Sequence, residues 1–242
     1  MLRTSLQTLL RVVYPPRCLL CGGLVESDFG LCGTCWRDTP FLSGLGCATC
    51  GTPLPGQSDE AEFCDACLAM PPPWSQGAAA LLYRDNGRKL VLLLKHADRH
   101  DIAAAASVWM ARQARPMLRE GMVAVPVPLH LRRHFSRRFN QAALLASGLA
   151  RALEIGHCPD ALLRARHTPP LDGKSREERF AMLGEAIRLS PARAALIRDR
   201  PVLLVDDVMT SGATLSAAAD ACLAGGASEV CVCVLARVAK DA

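Results

Sequence analysis

Long apolar runs are missing from this chain of 242 residues. Stretches such as Leu90–Leu94 and Val202–Val205 are far short of the roughly 20 residues that a helix needs to span a bilayer, which excludes such a span. A secretory apolar core is missing too. Leu2, Leu6, Leu9, Leu10 and Val13 recur at helical spacing, but Arg3, Gln7 and Arg11 interrupt them. The pattern predicts an amphipathic helix at the start of the chain and a cytoplasmic protein. Aromatic residues are few, with 3 Trp, 2 Tyr and 6 Phe, so a surface that stacks nucleic-acid bases has little to work with. Excess charge of one sign is small as well, at a net +5.

That charge is unevenly placed. Arg132, Arg133, Arg137 and Arg138 crowd into one stretch beside His130 and His134, a cluster suited to phosphates of a nucleotide, of pyrophosphate or of nucleic acid, or else a solvated helical face. Phe135 and Phe139 interleave with these arginines and are the best stacking candidates.

Cysteine is plentiful where large apolar residues are not. Of the 12 cysteines, those from 18 to 67 form four Cys-x-x-Cys pairs: Cys18/Cys21, Cys32/Cys35, Cys47/Cys50 and Cys64/Cys67. Two thiolates at this spacing grip one ion in a knuckle turn, and two knuckles complete a tetrahedral four-cysteine zinc site. Pairing in sequence order puts one zinc on Cys18, Cys21, Cys32 and Cys35 and a second on Cys47, Cys50, Cys64 and Cys67; interleaved pairing stays open. Gly22, Gly33 and Gly51 follow Cys21, Cys32 and Cys50 and can supply tight turns. Disulfides are the rival reading, disfavoured by the absence of a secretory core. With only Phe29, Trp36, Phe41 and Phe63 as large aromatic ballast, metal supplies most of the folding energy of this segment. Cys158, Cys222, Cys231 and Cys233 sit among apolar residues and read as core packing.

Pro71-Pro72-Pro73 marks a boundary, predicting an amphipathic helix and double ribbon over 1–70, a stiff linker over 71–75 and a larger domain over 76–242. Helical patterns are expected at Asn86–His96, Ile102–Leu118 and Asn140–Leu153, and a strand at Val123–Val127. The polar segment from Thr168 to Arg179 reads as a mobile loop. A strand at Val202–Val205, a helix at Leu215–Leu223, the Gly225-Gly226 stop and a strand at Val230–Val234 form one crossover. Alternating strands and helices imply an α/β fold with a parallel sheet.

The crossover holds the most specific chemistry. Val202–Val205 has the apolar character of a parallel strand covered on both faces, so Asp206 and Asp207 fall at its carboxyl end, where open α/β sheets place ligands. Thr210, Ser211, Gly212, Ala213 and Thr214 follow, small residues whose N–H groups and hydroxyls can close on an anion at the amino end of a helix. The arrangement reads as a sugar-phosphate site, whereas a turn capping the next helix needs only one carboxylate.

At these residues the chain resembles the type I phosphoribosyltransferases, whose motif for phosphoribosyl pyrophosphate (PRPP) is an apolar strand, two acids and a Thr/Ser/Gly loop. The resemblance implies that Asp206 and Asp207 hold the ribose hydroxyls, that Thr210–Thr214 cradle the 5′-phosphate, and that Mg2+ accompanies PRPP. The order of the double zinc ribbon, Leu94-Lys95-His96, Val125-Pro-Val-Pro-Leu129, Arg138-Phe-Asn-Gln141, Arg166-His-Thr-Pro169 and the PRPP motif resembles the ComF family and the related GntX proteins, cytoplasmic proteins linked to DNA uptake in competent bacteria. It implies that Pro128, Arg132, Arg133, Arg137 and Arg138 face pyrophosphate, and that a flexible loop carrying Arg166, Lys174 and Arg179 closes over it. Leu171 and Met182 stand where that family usually has Gln and Asn. Thr210 replaces the aspartate of purine-salvage members, which argues against simple purine salvage.

Two functions follow as expectations. The first is a Mg2+-dependent phosphoribosyltransferase that works by positioning and electrostatics on an unidentified acceptor; the second is a non-catalytic PRPP sensor that binds single-stranded DNA, alone or with other competence proteins.

Overall fold

The computed structural model describes residues 14–26, 30–96, 99–129, 140–164 and 186–239. The amphipathic helix expected over residues 1–13, the arginine cluster with Arg132, Arg133, Arg137 and Arg138, and the loop with Arg166, Leu171, Lys174, Arg179 and Met182 lie outside them.

Two short helices belong to the cysteine-rich segment, α1 (Gly33–Arg37) and α2 (Asp65–Ala69). The larger body follows as β1 (Gln76–Leu82), α3 (Asp85–His96), α4 (His100–Ala114), β2 (Val123–Pro126), α5 (Gln141–Leu153), β3 (Gly156–His157), β4 (Leu162–Arg164), β5 (Ile187–Leu189), α6 (Ala194–Ile197), β6 (Pro201–Met209), α7 (Ala213–Ala224) and β7 (Glu229–Arg237). Five strands form one sheet in the order β1-β7-β6-β2-β3, every neighbouring pair parallel. A separate antiparallel pair joins β4 and β5.

Covered on both faces, the central strands are apolar at successive positions rather than at alternate ones. Val202 and Leu204 of β6 join Val123, Val125, Val230 and Val232 in one core, under Leu215, Ala218 and Cys222 of α7. Leu203 and Val205 face the other way, with Cys231, Cys233 and Leu235, against Leu90 and Leu94 of α3, Met110 of α4 and Leu145 and Leu149 of α5. Cys158, Cys222, Cys231 and Cys233 are all buried, as expected of core residues.

Several expected bounds shift for identifiable reasons. The helix expected to reach Leu118 ends at Ala114, and a 3-10 turn takes Arg115–Met117, because Pro116 has no N–H for the helical ladder. The strand expected to stop at Val205 runs on through both acids to Met209, carried by its pairing with β7 as far as Met209 beside Arg237. The helix expected from Leu215 begins two residues earlier, at Ala213.

The ribbon segment lies against this body. Leu42 N–H donates to Ala80 O and Leu82 N–H to Pro40 O, both at 2.9 Å, covering the outer edge of β1, which would otherwise present unpaired backbone groups. Trp36 and Phe41 stack with ring centroids 4.3 Å apart, and Phe41 meets Trp109 of α4 edge-on at 5.2 Å. Further along, Trp74 Nε1 donates to Thr49 O at 2.6 Å and Gly77 N–H to Ala48 O at 2.9 Å. A Cβ on Gly77 would collide with Thr49 O, so the close approach requires glycine there.

Candidate functional site

The eight cysteines gather as two quartets in sequence order, Cys18, Cys21, Cys32 and Cys35, then Cys47, Cys50, Cys64 and Cys67, with all ligand atoms of each within 4.8 Å of one another. This removes interleaved pairing. Sulfur atoms of Cys21 and Cys32, and of Cys50 and Cys64, lie 3.7 Å apart, against about 3.8 Å for the edge of a tetrahedron with zinc–sulfur bonds near 2.3 Å. The quartets therefore fit two structural zinc ions, held by those residues. Gly22 and Gly51 take positive φ, at 73° and 67°, within knuckles closed by Gly22 N–H to Cys18 O and Gly51 N–H to Cys47 O. Gly33 instead opens α1 without positive φ, so that part of the glycine reading is corrected. Burial works to raise the Cys18 thiol, but N–H groups of Cys21, Cys32 and Leu20 outweigh it and bring it to about 6. Cys50 falls to about 4, chiefly through a hydrogen bond from Cys47. One thiol in each quartet is thus brought down, while burial, and for Cys67 the charge of Cys50, push Cys35 and Cys67 up to about 12, and the hydrogen bond to Cys50 raises Cys47.

The second assembly stands at the carboxyl edge of the sheet. The ladder between β2 and β6 ends at Pro126 beside Val205, with Val127 N–H still donating to Val205 O at 2.9 Å. Beyond that point β6 continues beside β7 alone, so Asp206 and Asp207 emerge in the gap that β2 leaves. Alternation along a strand sends the two side chains to opposite faces. Asp207 shares the face of Leu203 and Val205, where α3 ends, and its Oδ2 lies 3.0 Å from Lys95 Nζ, both side chains largely shielded. Asp206 shares the face of α7 and accepts from Asp207 N–H at 2.8 Å through Oδ1. Burial, then the charge of Asp207, push its carboxyl up to about 7.

The loop after β6 turns through Gly212, at φ 83°, directly into α7. Thr210, Ser211 and Gly212 form the loop, while Ala213 and Thr214 already lie in the first helical turn, where backbone N–H groups have no helical partner. Ala213 N–H reaches Ser211 Oγ at 3.4 Å. A Cβ on Gly212 would come within 3.2 Å of the Trp74 indole, so the loop is backed by the residue that seats the second ribbon. Arg237 Nη1 donates to the carbonyls of Met209, Thr210 and Val238, anchoring both strand ends.

Pro128 follows Val127 at the same edge and is partly exposed. Asn140 caps α5 by accepting from Ala142 N–H at 3.0 Å and donates through Nδ2 to Val127 O at 3.1 Å. Val127 and Asn140, 13 residues apart in sequence, are therefore joined. Gln141 is 1% exposed with neither side-chain polar atom partnered.

Sequence reasoning singled out Leu94-Lys95-His96 without giving Lys95 its contact with Asp207. A cation ending an apolar helix, in a protein with two strand-end acids, was the available signal. Trp74 and Arg237 had no comparable signal, since their roles depend on the ribbon and β7 arriving beside one loop.

This fold and site define a class: a phosphoribosyltransferase-type α/β domain bearing two four-cysteine ribbons. Residues 9–68 match the double zinc ribbon domain family, and residues 140–242 the phosphoribosyl transferase domain family. The chain belongs to the ComF family. It is 33% identical over 229 residues to the DNA utilization protein YhgH of Escherichia coli K12, covering 92% of this chain and 97% of that one. To Competence protein F of Haemophilus influenzae it is 31% identical over 227 residues, covering 91% and 96%. Among solved structures, the glutamine PRPP amidotransferase of B. subtilis shares 19% identity with a TM-score of 0.39, over 59% of this chain and 30% of that longer enzyme.

Proposed function

We propose that this protein binds PRPP at the carboxyl edge of β6 and acts as a Mg2+-dependent phosphoribosyltransferase in the reducing cytoplasm. The observation that supports it most is the convergence of Asp206, Asp207 and the Thr210–Thr214 segment at the amino end of α7. Asp206 and Asp207 present carboxylates to the ribose 2′ and 3′ hydroxyls. The loop offers N–H groups and hydroxyls to the 5′-phosphate, with the helix dipole in its favour. Lys95, 3.0 Å from Asp207, pairs with that side chain and adds positive charge beside the departing anion. Bound Mg2+ would neutralise pyrophosphate oxygens.

In the transfer, a nitrogen lone pair of the acceptor forms the bond to C1′. The C1′–O bond breaks, pyrophosphate leaves with its electron pair, and the acceptor's proton passes to water. Pro128, Arg132, Arg133, Arg137 and Arg138 are assigned to pyrophosphate, and Arg166, Lys174 and Arg179 to the closing loop, from the family resemblance.

Calorimetric titration with Mg-PRPP tests the reading. Asp206→Asn/Asp207→Asn should abolish binding, and unchanged affinity in that double variant refutes it. Pyrophosphate release in the presence of a panel of bases and amines separates catalysis from binding alone.

A second reading, a PRPP sensor that holds single-stranded DNA, alone or with other competence proteins, is supported by the names of the DNA-utilization and competence relatives. Salt-dependent binding of single-stranded DNA that survives the double Asn variant supports it; binding that is absent, or insensitive to salt, rules it out.

A further inference from the structure

The two ribbons share a ligand set and differ in charge. From Thr39 to Tyr83 the sequence holds no Lys, Arg or His, and the second ribbon carries Asp59, Glu60, Glu62 and Asp65, all exposed. The first ribbon and the helices against it carry exposed cations instead: Arg17, Arg37 at the end of α1, Arg88 and Lys89 on α3, and Arg112 on α4. Among the described residues of these elements the exposed acids are Glu26, Asp38 and Asp85, and Asp85 lies 3.9 Å from Arg84. The elements touch: Asn86 Nδ2 of α3 donates to Cys35 O at 3.3 Å, and the Trp36 ring lies 6.4 Å from that of Trp109 on α4.

Among the described residues three aromatic side chains are exposed, Tyr14, Trp36 and Phe63. Trp36, at 44%, is set in a stack of rings. Phe41 lies against it at 4.3 Å with the planes tilted by 31°, and is itself held edge-on by the buried Trp109 and by its bridge to Leu81 of β1. A planar group placed on Trp36 would extend a pile that is already fixed, so little side-chain freedom is lost on binding. Arg112 follows Trp109 by one turn on the same side of α4, and Arg37 is the next residue after Trp36. Phe63 is equally exposed, at 45%, but its neighbours Glu62 and Asp65 are acids, which repel a phosphate chain.

An open indole among cations is the chemistry that holds a single strand of nucleic acid, whose unpaired bases stack on aromatic faces while its phosphates are neutralised by arginine and lysine. We infer that the first ribbon, with the adjoining turns of α3 and α4, is a platform for single-stranded DNA, one base stacking on Trp36 and the neighbouring phosphates meeting Arg37 and Arg112. The inference rests on the second reading above for the kind of partner. It divides the work between the ribbons, the first facing the strand and the second supporting the Thr210–Gly212 loop. Asn86 and Lys95, which touch the platform and Asp207 respectively, stand near opposite ends of α3, about 14 Å apart by helical rise, so DNA and PRPP can be held together.

The test uses the full, zinc-loaded chain and a fluorescein-labelled oligothymidylate of about 20 nucleotides, with a duplex of the same length as control, read by fluorescence anisotropy over a range of salt. Trp36→Ala should weaken single-strand binding about tenfold, and Trp36→Phe should restore most of it. Arg112→Ala, outside the ring stack, should lower the slope of log affinity against log salt by about one, which reads the platform even where a change at Trp36 loosens the ribbon. Phe63→Ala, the matched ring on the second ribbon, should leave binding within about twofold of the parent, and every variant should keep its zinc and its PRPP affinity within the same limit. If the parent binds the strand and neither Trp36→Ala nor Arg112→Ala alters that binding, or if Phe63→Ala weakens it as much as Trp36→Ala does, the platform is overturned while the second reading stands. Equal affinity for the duplex overturns the platform too, because paired bases offer no face to Trp36. A parent chain that binds no single-stranded DNA refutes the platform and the second reading together.

Discussion

Asp206 and Asp207 are chemically the same residue placed in two environments. Asp207 has a cation at 3.0 Å, whereas burial and the charge of Asp207 push the Asp206 carboxyl up to about 7, against the opposing N–H of Asp207. An acid whose pKa is higher folded than unfolded keeps its proton in the native state while the unfolded chain has already released it. Native stability therefore falls as pH rises from about 4 to about 7 and levels off above. Asp206→Asn should remove this slope. Thermal unfolding should find that variant more stable at pH 8, by on the order of 2 kcal/mol once partial solvent access is allowed for, and equal to the parent near pH 4. Ribose hydroxyls donate to carboxylate oxygens, so PRPP binding should tighten from pH 6 to pH 8 in the parent. Lys95→Met leaves Asp207 without its cation; calorimetry should show PRPP affinity reduced about tenfold, while Lys95→Arg should keep part of it. The two acids were legible in the sequence because a strand followed by Asp-Asp announces a carboxyl edge. The raised pKa of Asp206 was not, since it depends on which face that side chain takes and on how deeply the fold buries it.

Among the elements, β6 was legible as far as Val205, where the apolar run stops; its last residues are held in the sheet by β7, a tertiary effect that propensity cannot register. The neighbouring edge strand β1 went unread for a related reason. Its Gly77-Ala78-Ala79-Ala80 core has low strand propensity, yet small residues are what the position demands, because the ribbon backbone lies directly on it. Gly77→Ala places a methyl group against Thr49 O, and relief requires the ribbon to move off β1. The expected outcome is a loss of about 2 kcal/mol or more by denaturant unfolding. Proteolysis between residues 40 and 75 should speed up in step. Gly121→Ala, where an added Cβ would meet no atom within 4 Å but φ is 71°, should cost only about 1 kcal/mol of backbone strain and leave proteolysis unchanged.

At the scale of the molecule, the two quartets are alike in ligands but unlike in neighbours. The first is tied to the body through Trp36, Phe41 and Trp109, on the side of α4, and through Pro40 and Phe41 to the last residues of β1. The second is continuous with the Thr210–Gly212 loop, since Trp74 donates to Thr49 O between Cys47 and Cys50 while its indole backs Gly212. Loss of the second zinc would free Thr49 and Trp74, and with them the support behind the one loop residue whose positive φ sets the entry to α7. Loss of the first would cost stability without touching that loop. Cys21→Ser and Cys64→Ser make the comparison at matched chemistry. Each should reduce bound zinc from two ions to one by elemental analysis, and each should lower the unfolding temperature. Only Cys64→Ser should weaken PRPP binding, by about tenfold, with the Cys21→Ser protein staying within about twofold of the parent. Equal effects on PRPP from both variants would mean that the ribbons act on the site only through overall stability, and the direct path through Trp74 to Gly212 would have to be abandoned.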